Sequence, residues 1–108
     1  MTDAPRLRTV LPGLAERIEA ALRAQGEGRI AEQVDELRIM DVCPCDQPFC
    51  GSFHTASLPM RRWFMRGRQI ELRDGGPGEI AVDVVRGEIA YVEVLHLEGV
   101  REALSRLN

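Results

Sequence analysis

Lysine is absent from this 108-residue chain: all 14 basic side chains are arginine. Exchange between the two keeps the charge, so the bias says little about the fold. It favours planar, two-pronged contacts to carboxylate or phosphate over point-charge contacts. Basic excess is absent too, since the net charge is −3, and the surface as a whole is not built to hold nucleic acid non-specifically. No apolar run approaches the ~20 residues of a membrane helix. The opening residues, Met1-Thr2-Asp3-Ala4-Pro5-Arg6, lack an apolar signal region. The expectation is a cytoplasmic protein of bacterial type, away from membranes, in a compartment where thiols stay reduced. Cysteine is scarce, and its odd count of three argues against a pure disulfide framework.

What remains is ordinary globular composition, 44% hydrophobic and 29% charged. The length suits a single α+β domain over residues 1–108, burying roughly 65% of its unfolded surface. Residues 1–9 are polar, carry Pro5 and read as a loose lead-in. Leu11, Leu14, Ala15, Ile18, Ala21 and Leu22 then recur at helical spacing. Pro12 suits a first turn, where its missing N–H costs nothing, and Gly26 and Gly28 end the helix. Ile30, Val34 and Leu37 continue the period, which predicts a short second helix over about 29–36.

Five strands follow in the expectation. Residues 37–42 enter a cysteine-rich hairpin and 51–56 leave it, with Pro44 and Pro48 in the loop 44–49, where no N–H is needed. Residues 69–73, 80–85 and 89–95 make an antiparallel meander, its middle turn at Arg86-Gly87-Glu88. The last strand is apolar on both faces apart from Glu93, which suits a central position. After Gly99 a terminal helix carries Val100, Ala103, Leu104 and Leu107 at helical spacing. The helices are expected on one face of the sheet.

All the cysteines fall within eight residues, in Cys43-Pro44-Cys45-Asp46-Gln47-Pro48-Phe49-Cys50-Gly51-Ser52-Phe53-His54. Clustered thiols in a reducing compartment point to metal or reversible redox chemistry. Zinc is the expected ion, with Cys43, Cys45 and Cys50 as thiolate ligands and His54 as the fourth. The Cys-x-Cys-x4-Cys-x3-His spacing departs from the usual paired Cys-x2-Cys knuckles. His54 also sits awkwardly: in an extended strand it lies about 13 Å from Cys50 at the Cα atoms. It becomes a ligand only if the chain bends at Gly51 or turns helically over 50–54. Asp46, water or another chain are the other sources.

Two further readings of the loop stay open. Cys45 and Cys50 can face each other across the hairpin as a redox pair, with Cys43 resolving. Neither Lys nor Arg lies within 42–57, so nothing nearby in sequence lowers a thiol pKa. The cysteines can also serve simply as small apolar residues in a hairpin core.

Arg61, Arg62, Trp63, Arg66 and Arg68 form the one basic patch, with the only tryptophan inside it. The rest of the chain holds 10 arginines against 17 acids. Such a patch can bind phosphate, single-stranded nucleic acid or an acidic partner, or its arginines can pair with the acids of the chain itself. Nucleic acid ranks low among these, and a protein partner or a homodimer ranks above it. His96 closes the last strand and is a remote candidate for a ligand. Asp83 and Glu93, on neighbouring strands, are a carboxylate pair that either does acid–base work or faces solvent. Gly75-Gly76-Pro77-Gly78 is no phosphate loop, because a strand rather than a helix follows it. No catalytic residue and no Ser/His/Asp arrangement is indicated. The expected protein is small and non-catalytic, its hairpin pinned by zinc beside a surface for a protein partner.

Overall fold

The computed structural model describes residues 4–56 and 67–107. The chain runs α1 (Leu7–Val10), α2 (Pro12–Ala24), α3 (Gly28–Ala31), a 3-10 turn (Val34–Glu36), β1 (Asp41–Val42), β2 (Phe53–His54), β3 (Arg68–Glu71), β4 (Glu79–Val85), β5 (Glu88–Leu95) and α4 (Val100–Ser105). The fold is α+β, with one five-stranded antiparallel sheet in the order β1-β2-β5-β4-β3. No helix among the described residues is long and apolar enough to cross a membrane.

Helix α2 forms where the apolar period lies. Leu14, Ala15, Ile18, Ala21 and Leu22 make one buried stripe, and Pro12 sits in the first turn. That stripe packs on the sheet face carrying Phe53, Ile70, Ile80, Val82, Val84, Val92 and Val94. Leu7 of α1, Ile30 and Ala31 of α3, and Val100 and Leu104 of α4 join the same core. The helices therefore cover one face of the sheet, and the alternate strand positions look the other way.

The lead-in departs from its expectation. The Ile39 amide donates to the Pro5 carbonyl and the Leu7 amide to the Leu37 carbonyl, both at 2.8 Å, and Leu7 is fully buried. A partner thirty residues downstream holds this segment, and local composition does not show it. The same pairing explains the shortened first strand. Residues 37–39 bond to the N-terminal segment, and the strand proper is confined to Asp41 and Val42, with the Met40 amide on the His54 carbonyl and the Cys43 amide on the Ser52 carbonyl at its two ends. The second helix is split as well: α3 ends at Ala31 and a separate 3-10 turn covers Val34–Glu36.

Strand β5 is central, between β2 and β4. Arg86 and Gly87, both at positive φ (54° and 81°), make the two-residue connection from β4. Positive φ at both central positions gives the turn a twist matching that of the strands.

Candidate metal centre

The hairpin of β1 and β2 frames the cysteine loop. Asp41 pairs with His54 and Val42 with Phe53. One step on, the Cys43 amide donates to the Ser52 carbonyl at 3.0 Å. Continuing that register sets Cys45 opposite Cys50. On its other side the returning chain pairs with β5: Phe53 with Val92, His54 with Tyr91, and Cys50 bridges Leu95. Residues 50–54 thus run extended along β5 in one unbroken register. The loop is closed by the Cys50 amide on the Gln47 carbonyl at 3.1 Å, and fixed to the end of β5 by the His96 amide on the Phe49 carbonyl at 2.8 Å. At Gly51 a β-carbon would stand 2.7 Å from Val100 Cγ1, so only glycine lets the strand lie this close to α4.

This backbone brings the three thiol sulfurs within 4.8 Å of one another. A tetrahedral zinc with Zn–S near ~2.3 Å sets its sulfurs about 3.8 Å apart, so small side-chain rotations suffice to close the set. Cys43, Cys45 and Cys50 can hold a metal ion. All are free thiols; Cys50 is buried, while Cys43 and Cys45 are half-buried and reachable from solvent.

His54 is not in this group of converging ligand atoms. The bend that would carry it back to Cys50 is missing, because pairing with β5 keeps 50–54 extended. Its ring packs against Tyr91, with centroids 4.6 Å apart. His96 does end beside the loop, but its ring stacks on Phe49 at 4.7 Å and 14°. Neither His96 nor Asp46 belongs to the converging set.

Around the sulfurs lies a polar shell that local sequence does not announce. Ser52 is 1% exposed, the buried polar side chain among the described residues. Its Oγ accepts the Val94 amide at 2.9 Å and lies 3.5 Å from Cys50 Sγ. Arg101, from α4, donates to the Cys50 carbonyl at 3.0 Å and the Cys45 carbonyl at 3.2 Å. The Tyr91 hydroxyl reaches toward Ser52 and Cys43, and burial first of all pushes its pKa up to about 12. Tyr91 is therefore a neutral O–H donor at any ordinary pH.

The thiols differ in their electrostatics. Burial pushes Cys43 up. Cys45 is held below its ordinary value by the Gln47 backbone N–H, then by the Cys50 and Cys43 thiols, with Arg101 adding to the effect. The expectation that nothing nearby in sequence lowers a thiol pKa is corrected first by the Gln47 backbone N–H, two residues on; Arg101 of α4, 56 residues beyond Cys45, adds a smaller share.

The other candidates fall elsewhere. Arg68 forms a two-pronged ion pair with Glu27, both contacts at 2.9 Å. Arg61, Arg62, Trp63 and Arg66 lie outside the described residues. Asp83 accepts from Gln69 Nε2 at 3.0 Å, and burial raises its pKa. It pairs with Tyr91 in the ladder while Glu93 pairs with Ala81, so the two carboxylates stand two positions apart along β5.

Fold and centre together define a small α+β protein with three converging cysteines in a loop at one end of its sheet. No protein-family model, curated protein or solved structure matches this chain.

Proposed function

We propose that this is a small, non-catalytic, zinc-binding protein of the cytoplasm, with Cys43, Cys45 and Cys50 as thiolate ligands. The observation that carries the reading is the convergence of three sulfurs within 4.8 Å on a loop tied to β5 and α4. Thiolates select soft and borderline ions, of which zinc is the redox-inert member. Three thiolates also donate charge strongly to the ion, so a water bound to it is a poor source of hydroxide. That favours a structural role over hydrolysis. The metal then pins the hairpin, and the exposed Met40, Val42 and Phe49 beside it offer a surface to a protein partner. Nucleic acid stays the least favoured partner in this reading, supported by the net charge of −3 and by the engagement of the Arg68 guanidinium with Glu27.

The test is elemental analysis of tag-free protein together with thiol titration. About one zinc per chain, thiols that react only after chelation, and a melting temperature lowered by chelator are expected. Metal-free protein with three freely titrating thiols and a melting temperature indifferent to chelator rejects the reading. Cys45→Ser and Cys50→Ser should each abolish stoichiometric binding.

The depressed Cys45 thiol favours a second reading, a reversible Cys45–Cys50 disulfide. A peroxide would take the two thiol electrons and leave as water. It predicts loss of two titratable thiols under mild peroxide, unaffected by Cys43→Ser and abolished by Cys45→Ser.

A further inference from the structure

We infer that the metal held by Cys43, Cys45 and Cys50 keeps its fourth coordination position for a neutral nitrogen donor of the imidazole type, supplied from outside the chain. This rests on the zinc reading above. Every cysteine and histidine of the chain lies among the described residues, and only the three cysteines converge. The two histidine rings are engaged elsewhere, His54 tilted against Tyr91 and His96 stacked on Phe49. Zinc is four-coordinate in structural sites, so three protein sulfurs leave one position to be filled.

Charge selects the donor. A divalent ion with three thiolates carries a net −1. Arg101, whose guanidinium sits on the Cys45 and Cys50 carbonyls, offsets one negative charge, while Asp46 in the same loop adds another. A fourth thiolate or a carboxylate would add further negative charge to a half-buried site that already carries an excess of it, which costs free energy. A neutral nitrogen donor leaves the balance as it is. Space is available on the Cys43 side. A surface cavity of about 400 Å³, lined by Ile39, Met40, Asp41, Val42, Pro44 and Leu107, reaches Cys43. It has room for a five-membered ring, and Asp41 in its lining repels an anion.

The experiment uses the full chain loaded with Co(II), whose visible bands report coordination. Imidazole should shift the ligand-field bands saturably while the sulfur-to-cobalt bands persist. A histidine-containing peptide with apolar neighbours separates the two sources. Tighter binding than imidazole assigns the donor to another polypeptide, and equal binding assigns it to a small molecule; both support the inference. His54→Ala should leave Co(II) affinity and the imidazole response intact. Bands indifferent to imidazole in the loaded protein overturn the inference. So does a thiol that outcompetes imidazole, or a loss of about tenfold or more in Co(II) affinity on His54→Ala, which would make His54 the fourth ligand. Failure to bind Co(II) or Zn(II) at all is distinct from these and removes the zinc reading itself.

Discussion

Ser52 Oγ takes the Val94 amide hydrogen bond, at 2.9 Å, where a regular ladder would present a backbone carbonyl. Val94 is fully buried, so its N–H has no water to turn to. Ser52→Ala should cost about 1–3 kcal/mol, the penalty for orphaning a buried donor, although it removes a single atom. Chemical denaturation measures it. A change within experimental error would show that the strand shifts to restore a carbonyl. If the proposed zinc site holds, the variant should also weaken metal binding, since Ser52 Oγ lies 3.5 Å from Cys50 Sγ.

Arg101 ties the loop to α4 through two carbonyls, 51 and 56 residues away in sequence. Arg101→Ala should lower stability by about 1–2 kcal/mol and raise the Cys45 thiol toward its ordinary value. Arg101→Lys should recover little of either, because an ammonium cannot span both carbonyls as the planar fork does. Thiolate absorbance against pH reads the second effect in metal-free protein, and full rescue by lysine would refute the two-pronged role.

Tyr91 is the sole tyrosine, so phenolate absorbance reports it without overlap. Its folded pKa of about 12 stands above the ordinary 10.0. The folded state therefore holds this proton more tightly than the unfolded state does. The contribution is complete below pH 10 and is lost as pH rises toward 12. Metal-free native protein should titrate near 12 and urea-unfolded protein near 10. A native midpoint near 10 would place the hydroxyl in solvent.

Asp74 behaves in the opposite sense. Arg17 grips it through Nε at 2.6 Å and Nη2 at 3.1 Å, and holds its pKa down to about 2, from 3.8. Its stabilisation is present above pH 3.8 and is lost as pH falls through 2. Asp74→Asn should cost about 1 kcal/mol at neutral pH, the value of a good ion pair at the surface. The cost should vanish at the acid end of a pH series. An equal cost at every pH would mean that the turn, through the Gly76 amide on Asp74, matters more than the charge.

Helix α2, the β4–β5 hairpin, the central place of β5 and the cysteine loop are legible from local pattern, because each rests on neighbours within a few residues. The 3.6 period of Leu14, Ile18 and Leu22 and the turn at Arg86-Gly87 are of this kind. What escapes has its cause far along the chain. Leu7 is ordered by Leu37, the Cys45 thiol is shifted in part by Arg101, and Cys43 is overhung by Tyr91 from the far side of β2. His54 shows the limit from the other side. Its residue type suits a ligand, but pairing with Tyr91 decides its direction, and that pairing joins residues 37 positions apart.

The strand order carries a consequence for how the molecule assembles. The three strands after residue 67 are joined by short connections and can zip as neighbours, whereas β2 must find β5 across a long stretch of chain. Closing that distance carries a larger loop-closure cost than the short connections do, which favours a late place for it in folding. The cysteine loop is tied to β5 through this same encounter. A metal that the loop took up only after this encounter would stabilise its product rather than lower its barrier, and would lengthen the lifetime of the folded chain more than it would speed folding.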